Sequence, residues 1–183
     1  MASTESCKPK DTEARTQWYR HGMELEEIFL EEVAPKLDIH IRLNPKKDDD
    51  PTVIDMIYKK YPADLKTQNT PFFTSKKYGI PAQYAVTFNH KDYVRYKKLY
   101  PTAIIFFWVH WTTLSWNSLK VKPMNKIIKI PFWKIVRDIE NGTMPLHTYQ
   151  RRQTDKRANA KDSYIIDIRK YTEIGDLTYE EDY

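Results

Sequence analysis

The sequence predicts one α/β domain built on a mixed β-sheet that is flanked by helices. Three observations predict it. The chain has 183 residues and is 40% hydrophobic, enough for one domain with a sizeable core. Its periodic segments follow the order helix, three strands, helix, strand. Residues 104–109 are apolar without a break, which is typical of a central strand covered on both faces.

The first elements follow from apolar spacing. A buried stripe predicts a helix over residues 16–33, which Pro35 ends. Residues 38–43 alternate between apolar and polar side chains, as in a strand with one buried face. Residues 44–51 form a charged turn. The helix stripe consists of Trp18, Leu25, Ile28, Phe29 and Val33.

The next segments predict an antiparallel hairpin with strands at residues 53–58 and 63–68, because only a short turn separates them. A loop then extends to Pro81, and a further strand is expected over residues 84–88. Asn89 is a suitable N-cap for a helix over residues 90–99.

The rest of the chain predicts a central strand, a late hairpin, a helix and a last strand. We expect the strand at residues 102–110 and the hairpin from residues 119–121 and 126–130. Apolar residues at helical spacing lie between Pro131 and Gly142, which can start and stop a helix. The last strand is expected over residues 163–169.

Composition excludes several classes of site. The glycines are too far apart for a Walker-type phosphate loop or a dinucleotide fingerprint. Cys7, the single cysteine, excludes a disulfide framework and a thiolate zinc site, and it suits a reducing compartment. The longest apolar run, residues 103–109, is too short to cross a bilayer. The N-terminus also lacks an apolar signal segment. We therefore expect a soluble cytoplasmic protein with no membrane partner. The glycines are Gly22, Gly79, Gly142 and Gly175.

The charge is unevenly distributed along the chain. Residues 171–183 contain five acids and no Lys or Arg. Because they contribute −5 to a net charge of +5, the rest of the chain carries +10, which is compatible with a polyanionic partner. We expect a flexible segment at residues 1–16, a domain at 17–170 and an acidic tail at 171–183. Within the domain we expect a core at 17–110 and a C-terminal elaboration at 111–170.

The residues that carry chemistry lie on the hairpin. Alternation along the strand places Asp64, Lys66 and Gln68 on one face. Asp55 interrupts the otherwise apolar partner strand, so a matching register would bring two carboxylates and an ammonium group together. Buried carboxylates need a cation, and Mg²⁺ prefers such hard oxygen ligands. A nearby lysine can position a water and offset charge that develops on a phosphate.

This pattern resembles the PD-(D/E)XK nuclease superfamily, whose restriction-endonuclease-like core has the same order of elements. Asp55 matches the first acid, and Asp64-Leu65-Lys66 matches the (D/E)XK element. Gln68 resembles the glutamine that follows in several branches of the superfamily. Glu26 resembles the acid that the first helix often donates to the metal site.

The resemblance implies a Mg²⁺-dependent DNA endonuclease that leaves 5′-phosphate and 3′-hydroxyl ends. Asp55, Asp64 and Glu26 would hold the metal, while Lys66 and Gln68 would orient the attacking water. A type II restriction endonuclease is the expected role, and a homing or junction-resolving nuclease is a close alternative. Cutting both strands of a palindrome would require a homodimer. The residues expected to contact double-stranded DNA are Lys76, Lys77, Arg151, Arg152, Lys156 and Arg157.

Other interpretations remain open at the level of sequence. Asp64 and Lys66 could form an ion pair on a solvated strand face, and Glu26 could belong to a solvated helix face. The basic stretch over residues 150–161 could be a surface loop. The corresponding functions are a non-catalytic nucleic-acid-binding module of the same fold and a structural protein whose acidic tail covers its basic face.

Overall fold

In the computed structural model, which describes residues 15–50, 52–149 and 162–178, the chain folds into β-sheets flanked by helices. The helices are α1 (Arg15–Ile28), α2 (Ala34–Lys36), α3 (His90–Leu99) and α4 (Phe132–Glu140), with a π-helical turn at Phe29–Val33. The strands are β1 (Ile41–Leu43), β2 (Met56–Tyr58), β3 (Tyr61–Gln68), β4 (Ala85–Asn89), β5 (Ile104–His110), β6 (Ser115–Trp116), β7 (Leu119–Lys120), β8 (Asn125–Pro131), β9 (Leu146–His147), β10 (Ser163–Asp167) and β11 (Thr172–Asp176).

The main sheet has six strands in the order β1-β2-β3-β5-β8-β11. β3 and β5 run parallel, whereas the other neighbours in this sheet are antiparallel. The prediction of an α/β fold with a mixed central sheet flanked by helices is therefore confirmed. The apolar strand β5 lies inside this sheet, and its side chains from Ile105 to Val109 are buried.

Side chains of β5 alternate between two apolar layers. Phe106 and Trp108 face the helical N-terminal segment, which consists of α1, the π-helical turn and α2. Their rings lie 6.2 and 6.0 Å from the ring of Phe29. Phe107 faces the opposite layer and lies 6.3 Å from Phe88 on β4. This second layer includes α3, α4 and a smaller sheet of order β4-β10-β9. Both faces of the main sheet are thus covered, as the apolar run predicts.

Two predicted helices are confirmed with their caps. The Asn89 side chain accepts a hydrogen bond from the Lys91 backbone N–H and starts α3. Pro131 precedes α4, and Gly142 lies just beyond it with a φ of +71°. That angle is in the left-handed region, which glycine adopts without a steric penalty.

The predicted late hairpin of residues 119–121 with 126–130 is wrong. β7 pairs instead with β6, which the sequence did not indicate, while β8 pairs with β5 and β11. Asn117, with a φ of +51°, reverses the chain between β6 and β7. Asparagine tolerates this conformation better than most residues, which permits so short a hairpin.

The structure describes little of the expected flexible N-terminal segment but part of the expected acidic tail. Most of the expected flexible segment, residues 1–14, lies outside the described residues. The segment that we expected to be an acidic tail contributes β11, the edge strand of the main sheet. There Glu173 and Asp176 each lie 2.9 Å from Lys126, so part of the acidic charge is paired within the fold. No helix in the described parts of the chain has both the length and the apolar character needed to span a membrane.

Candidate active site

The candidate site is centred on β3, where the predicted alternation is confirmed. Leu65 packs in the layer next to the helical N-terminal segment, while Asp64 and Lys66 face α3. Asp64 is buried, with an exposed fraction of 1%. Its Oδ2 lies 2.7 Å from Nζ of Lys66, whose side chain keeps an exposed fraction of 25%. The ion pair is therefore buried at Asp64 and partly buried at Lys66.

Two side chains of α3 complete this ion pair. Asp92 Oδ2 lies 2.8 Å from Nζ of Lys66, and the Tyr96 hydroxyl donates a 2.8 Å hydrogen bond to Asp64. These residues are four positions apart, so they lie on the same side of the helix. Sequence reasoning missed both. The available signal was that Asp92 is the one acid between residues 65 and 137.

Burial and charge act against each other within this group. Burial raises the pKa of Asp64, and the neighbouring Lys66 partly opposes the rise. Burial lowers the pKa of Lys66, but Asp64, Tyr96 and Asp92 together outweigh burial and raise that pKa well above its usual value. The pKa of Tyr96 is also raised, chiefly by burial. Lys66 is therefore a cation and Tyr96 a hydrogen-bond donor at neutral pH.

Asp55 lies next to Asp64 across the hairpin. Met56 pairs with Ala63 in the antiparallel β2–β3 register. Asp55, which precedes Met56, therefore lies opposite Asp64, which follows Ala63. The predicted strand of residues 53–58 is shorter than expected, and Asp55 immediately precedes β2. Its carboxylate lies 2.6 Å from Nζ of Lys47, a partner that the sequence did not reveal.

The pairing of β2 with β3 ends at this point. The register covers residues 56–58 of β2, while β3 continues to Gln68 alongside β5. The chain before β2 is held by Asn44 and Tyr100. The Asn44 backbone N–H donates to the Asp55 carbonyl at 2.9 Å and its side chain donates to the Ile54 carbonyl at 2.9 Å, while the Tyr100 hydroxyl accepts from the Ile54 N–H at 3.2 Å. The acids thus lie where the two strands stop pairing.

Glu26 on α1 belongs to the same charged group. Burial and the nearby Asp55 carboxylate raise its pKa to about 7, and Asp64 adds to the rise while Lys47 and Lys66 oppose it. Glu26 is thus within electrostatic reach of all four side chains. Of the residues that the sequence predicted, Asp64 and Lys66 are in direct contact, while Glu26 and Asp55 are linked to them through electrostatic interactions.

Gln68 is placed differently from its expected role beside a water molecule. Its Nε2 donates to the Thr87 carbonyl at 2.7 Å, and its Oε1 accepts from the Thr87 N–H at 3.2 Å. The amide therefore pairs with the backbone of β4 as a strand would. This contact joins the end of β3 to the smaller sheet and is suited to positioning β4 against β3.

The acids do not form a ready metal cage. Within residues 15–50, 52–149 and 162–178, no group of three or more His, Cys, Asp or Glu side chains is arranged to hold a metal ion. Asp55 and Asp64 instead have lysine partners. A divalent cation would have to compete with these two ammonium groups.

The predicted DNA contacts fall into two sets. Lys76 and Lys77 are exposed on a 3₁₀ helix, Phe73–Tyr78, that follows β3. The others lie outside the described residues. They are Arg151, Arg152, Lys156 and Arg157.

We compared the chain with protein-family models, with curated protein sequences and with solved structures, and none of the three comparisons gave a match. Inference about function therefore depends on the side-chain geometry. At the point where a strand pair opens, that geometry places the Asp64–Lys66 ion pair beside Asp55, and the Glu26 carboxylate interacts electrostatically with all three.

Proposed function

We propose that the protein is a Mg²⁺-dependent DNA endonuclease of the PD-(D/E)XK type. One observation carries the proposal. A buried aspartate and a lysine two residues later share a strand face, with two further carboxylates in electrostatic reach. A group of this kind can hold a hard cation and also supply a fixed positive charge next to a phosphate.

The order and pairing of the elements support the restriction-endonuclease-like part of the proposal. A helix precedes three antiparallel strands, and a second helix precedes β5, which runs parallel to β3. Apart from β4, which lies between β3 and α3 in the chain and belongs to the smaller sheet, this order is the one that the sequence resemblance implied. Asp64 lies on β3 and Asp55 immediately precedes the neighbouring strand β2, an arrangement that supports matching them to the two acids of the motif.

The donor set is suited to magnesium in its chemistry. Glu26, Asp55 and Asp64 would supply the carboxylate oxygens that Mg²⁺ prefers. Repulsion from Asp55 and Asp64 contributes to the raised pKa of Glu26, and a cation among the three would relieve it. When bound, the metal would activate a water and stabilise charge on a phosphate.

The remaining side chains have roles that follow from their contacts. Lys66 stays protonated, and its positive charge would stabilise the negative charge that builds up on the scissile phosphate. Asp92 and Tyr96 position Lys66 and Asp64 from α3. Gln68 positions β4 against β3, and in this proposal it does not orient the attacking water.

In this proposal the biological role is that of a type II restriction endonuclease, with a homing or junction-resolving nuclease as the alternative. A homodimer on double-stranded DNA would supply the second site needed to cut both strands. The proposed location is the cytoplasm, where DNA and Mg²⁺ are both present.

A second candidate is a non-catalytic nucleic-acid-binding module. It is favoured by the pairing of Lys66 with two carboxylates at once and by the engagement of Asp55 with Lys47. In that case the charged group would serve only to hold α1, β3 and α3 together. The two candidates differ in whether the wild-type protein cleaves DNA and in whether that cleavage requires Lys66.

The experiment is plasmid cleavage. Supercoiled DNA is incubated with the wild-type protein, with Lys66→Ala and with Lys60→Ala, each in Mg²⁺ and in EDTA. Lys60 is an exposed lysine in the β2–β3 turn and provides the matched control. End-labelling of the products, with and without phosphatase treatment, identifies the 5′ group.

The proposal predicts Mg²⁺-dependent fragments with 5′-phosphate ends from wild type and Lys60→Ala, and none from Lys66→Ala. Discrete linear fragments would support the restriction role, while nicking alone would support a monomeric or junction-directed enzyme. If varied plasmids stay intact and both variants bind DNA as the wild type does, the catalytic proposal is wrong and the binding module takes its place.

A further inference from the structure

The short hairpin of β6 and β7 exposes apolar side chains that the proposed chemistry does not use. Trp116 has an exposed fraction of 48% and Leu119 of 38%, and their Cα atoms are partners in the hairpin register. Exposed large apolar side chains side by side are typical of a contact surface. The partner surface must therefore offer apolar or aromatic faces.

The hairpin is held rigidly at its base. The Thr112 and Thr113 N–H groups donate to the Asn69 carbonyl at 3.0 and 3.3 Å. On the other side, Gln83 bridges to the backbone of Lys122, accepting from its N–H at 2.6 Å and donating to its carbonyl at 3.1 Å. Trp116 also stacks on Phe73, with ring centroids 6.2 Å apart. The exposed tryptophan is thus presented in a fixed orientation.

The charge around this hairpin is positive. Residues 93–137 contain no Asp or Glu. Lys120 and Lys122 are exposed and form no ion pair with any described residue. Lys76 and Lys77 lie on the 3₁₀ helix that supplies Phe73, beneath Trp116. Aromatic side chains among unopposed cations are complementary to the bases and phosphates of a nucleic acid.

The base of the β6–β7 hairpin is attached just beyond the end of β3, the strand that carries Asp64 and Lys66. This base is bonded to Asn69, five residues beyond Asp64 along an extended strand, which corresponds to about 17 Å. Base pairs in B-DNA are about 3.4 Å apart, so this distance is about five base pairs. The separation between Asp64 and the hairpin base is thus comparable to half a helical turn of a duplex.

We propose that the β6–β7 hairpin inserts into a groove of duplex DNA, with Trp116 against a base and Lys120 and Lys122 on the flanking phosphates. The inference extends the proposed function by adding a DNA contact outside the metal site. Apolar side chains inserted between base steps unstack them, and lysines on phosphates set the orientation. The hairpin would thus bend or open the DNA near the scissile phosphate.

The test measures DNA binding in EDTA, so that hydrolysis does not enter. Anisotropy of a labelled duplex is measured with the wild type, Trp116→Ala, Trp116→Phe and Trp133→Ala. Trp133 on α4 is the matched control, because its exposed fraction is 54% and Lys134 and Arg137 lie over its ring. Circular dichroism establishes that each variant is folded.

Trp116→Ala should raise Kd about 5- to 100-fold, the range for loss of one aromatic–base contact, while Trp116→Phe and Trp133→Ala stay near the wild-type value. A 2-aminopurine duplex should brighten with the wild type and not with Trp116→Ala. Replacing Lys120 and Lys122 together by alanine should reduce the slope of log Kd against log salt by about two.

Wild-type affinity in Trp116→Ala, or an equal loss in Trp133→Ala, would overturn the inference. So would a wild-type protein that binds no duplex, or a Trp116→Ala variant that loses only self-association. Its failure is separable from that of the nuclease proposal. Mg²⁺-dependent cleavage with an inert Trp116 refutes the hairpin alone, and a Trp116 effect without cleavage refutes the nuclease alone.

Discussion

Replacing Glu26 by glutamine should stabilise the protein at neutral and alkaline pH and not at acid pH. The pKa of Glu26 is raised from 4.5 to about 7 in the folded protein, chiefly because its carboxylate is partly buried and lies near Asp55. The folded state thus binds this proton more tightly than the unfolded state does. Stability from this group is fully present below pH 4.5 and is lost as the pH rises through 7.

The magnitude follows from the size of the shift. One pKa unit corresponds to 1.36 kcal/mol, so a rise from 4.5 to about 7 gives an upper bound of roughly 3.4 kcal/mol, and solvent screening of the partly exposed carboxylate reduces the cost to about 2 to 3 kcal/mol. Glutamine has the same shape and no charge. Glu26→Gln should therefore match the wild type near pH 4 and exceed its free energy of unfolding by about 2 to 3 kcal/mol at pH 8.

Urea unfolding from pH 4 to 8.5 in EDTA measures this difference. Glu27→Gln is the matched control, because Glu27 is the next residue on α1 and is exposed. We expect its free energy of unfolding to follow the wild type across the range. A stability gain in Glu26→Gln that does not change with pH, or no gain at pH 8, would refute the electrostatic grouping of Glu26 with Asp55 and Asp64.

Two further predictions concern the buried ion pair. Lys66→Met leaves the Asp64 carboxylate without its cation, so thermal or urea unfolding should show a loss of about 3 to 5 kcal/mol. Adding Asp64→Asn should recover much of that loss, and simple additivity of the two changes would contradict the pairing. Tyr96→Phe removes one hydrogen bond to the same carboxylate and should cost about 1.5 to 3 kcal/mol in the same assay. An unchanged free energy of unfolding in Tyr96→Phe would mean that this contact does not stabilise the fold.

The sequence was most informative where local rules decide the structure. Alternation along β3 was enough to place Asp64 and Lys66 on one face. The unbroken apolar run of residues 104–109 was enough to place β5 inside the sheet. Asn89, as a cap, set the start of α3 to the residue. Each of these features depends on the side chains of a few consecutive residues.

The features that sequence reasoning missed depend on contacts between distant segments. β11 looked like a tail because its acids suggested solvent, yet Glu173 and Asp176 pair with Lys126 on the neighbouring strand. The pairing of Lys47 with Asp55 arises from the fold of the intervening turn. No periodicity in the sequence indicates such a partner.

The candidate site also contains residues that a local sequence pattern predicts and residues that only tertiary packing brings into contact. The acids and the lysine on the hairpin could be chosen from strand alternation and from the resemblance. Asp92 and Tyr96 could not, because they reach Asp64 and Lys66 only when α3 packs on the sheet. The engagement of Gln68 by Thr87 likewise depends on where β4 docks.

The most direct test of the central claim is the rate of Mg²⁺-dependent DNA cleavage by Asp64→Asn relative to wild type. Asparagine keeps the shape of the side chain and can still accept the Tyr96 hydrogen bond, while Lys66 keeps Asp92 as its partner. The account predicts a folded variant that binds DNA and whose cleavage rate falls at least about a hundredfold. Cleavage at the wild-type rate by folded Asp64→Asn would show that the chemistry is elsewhere.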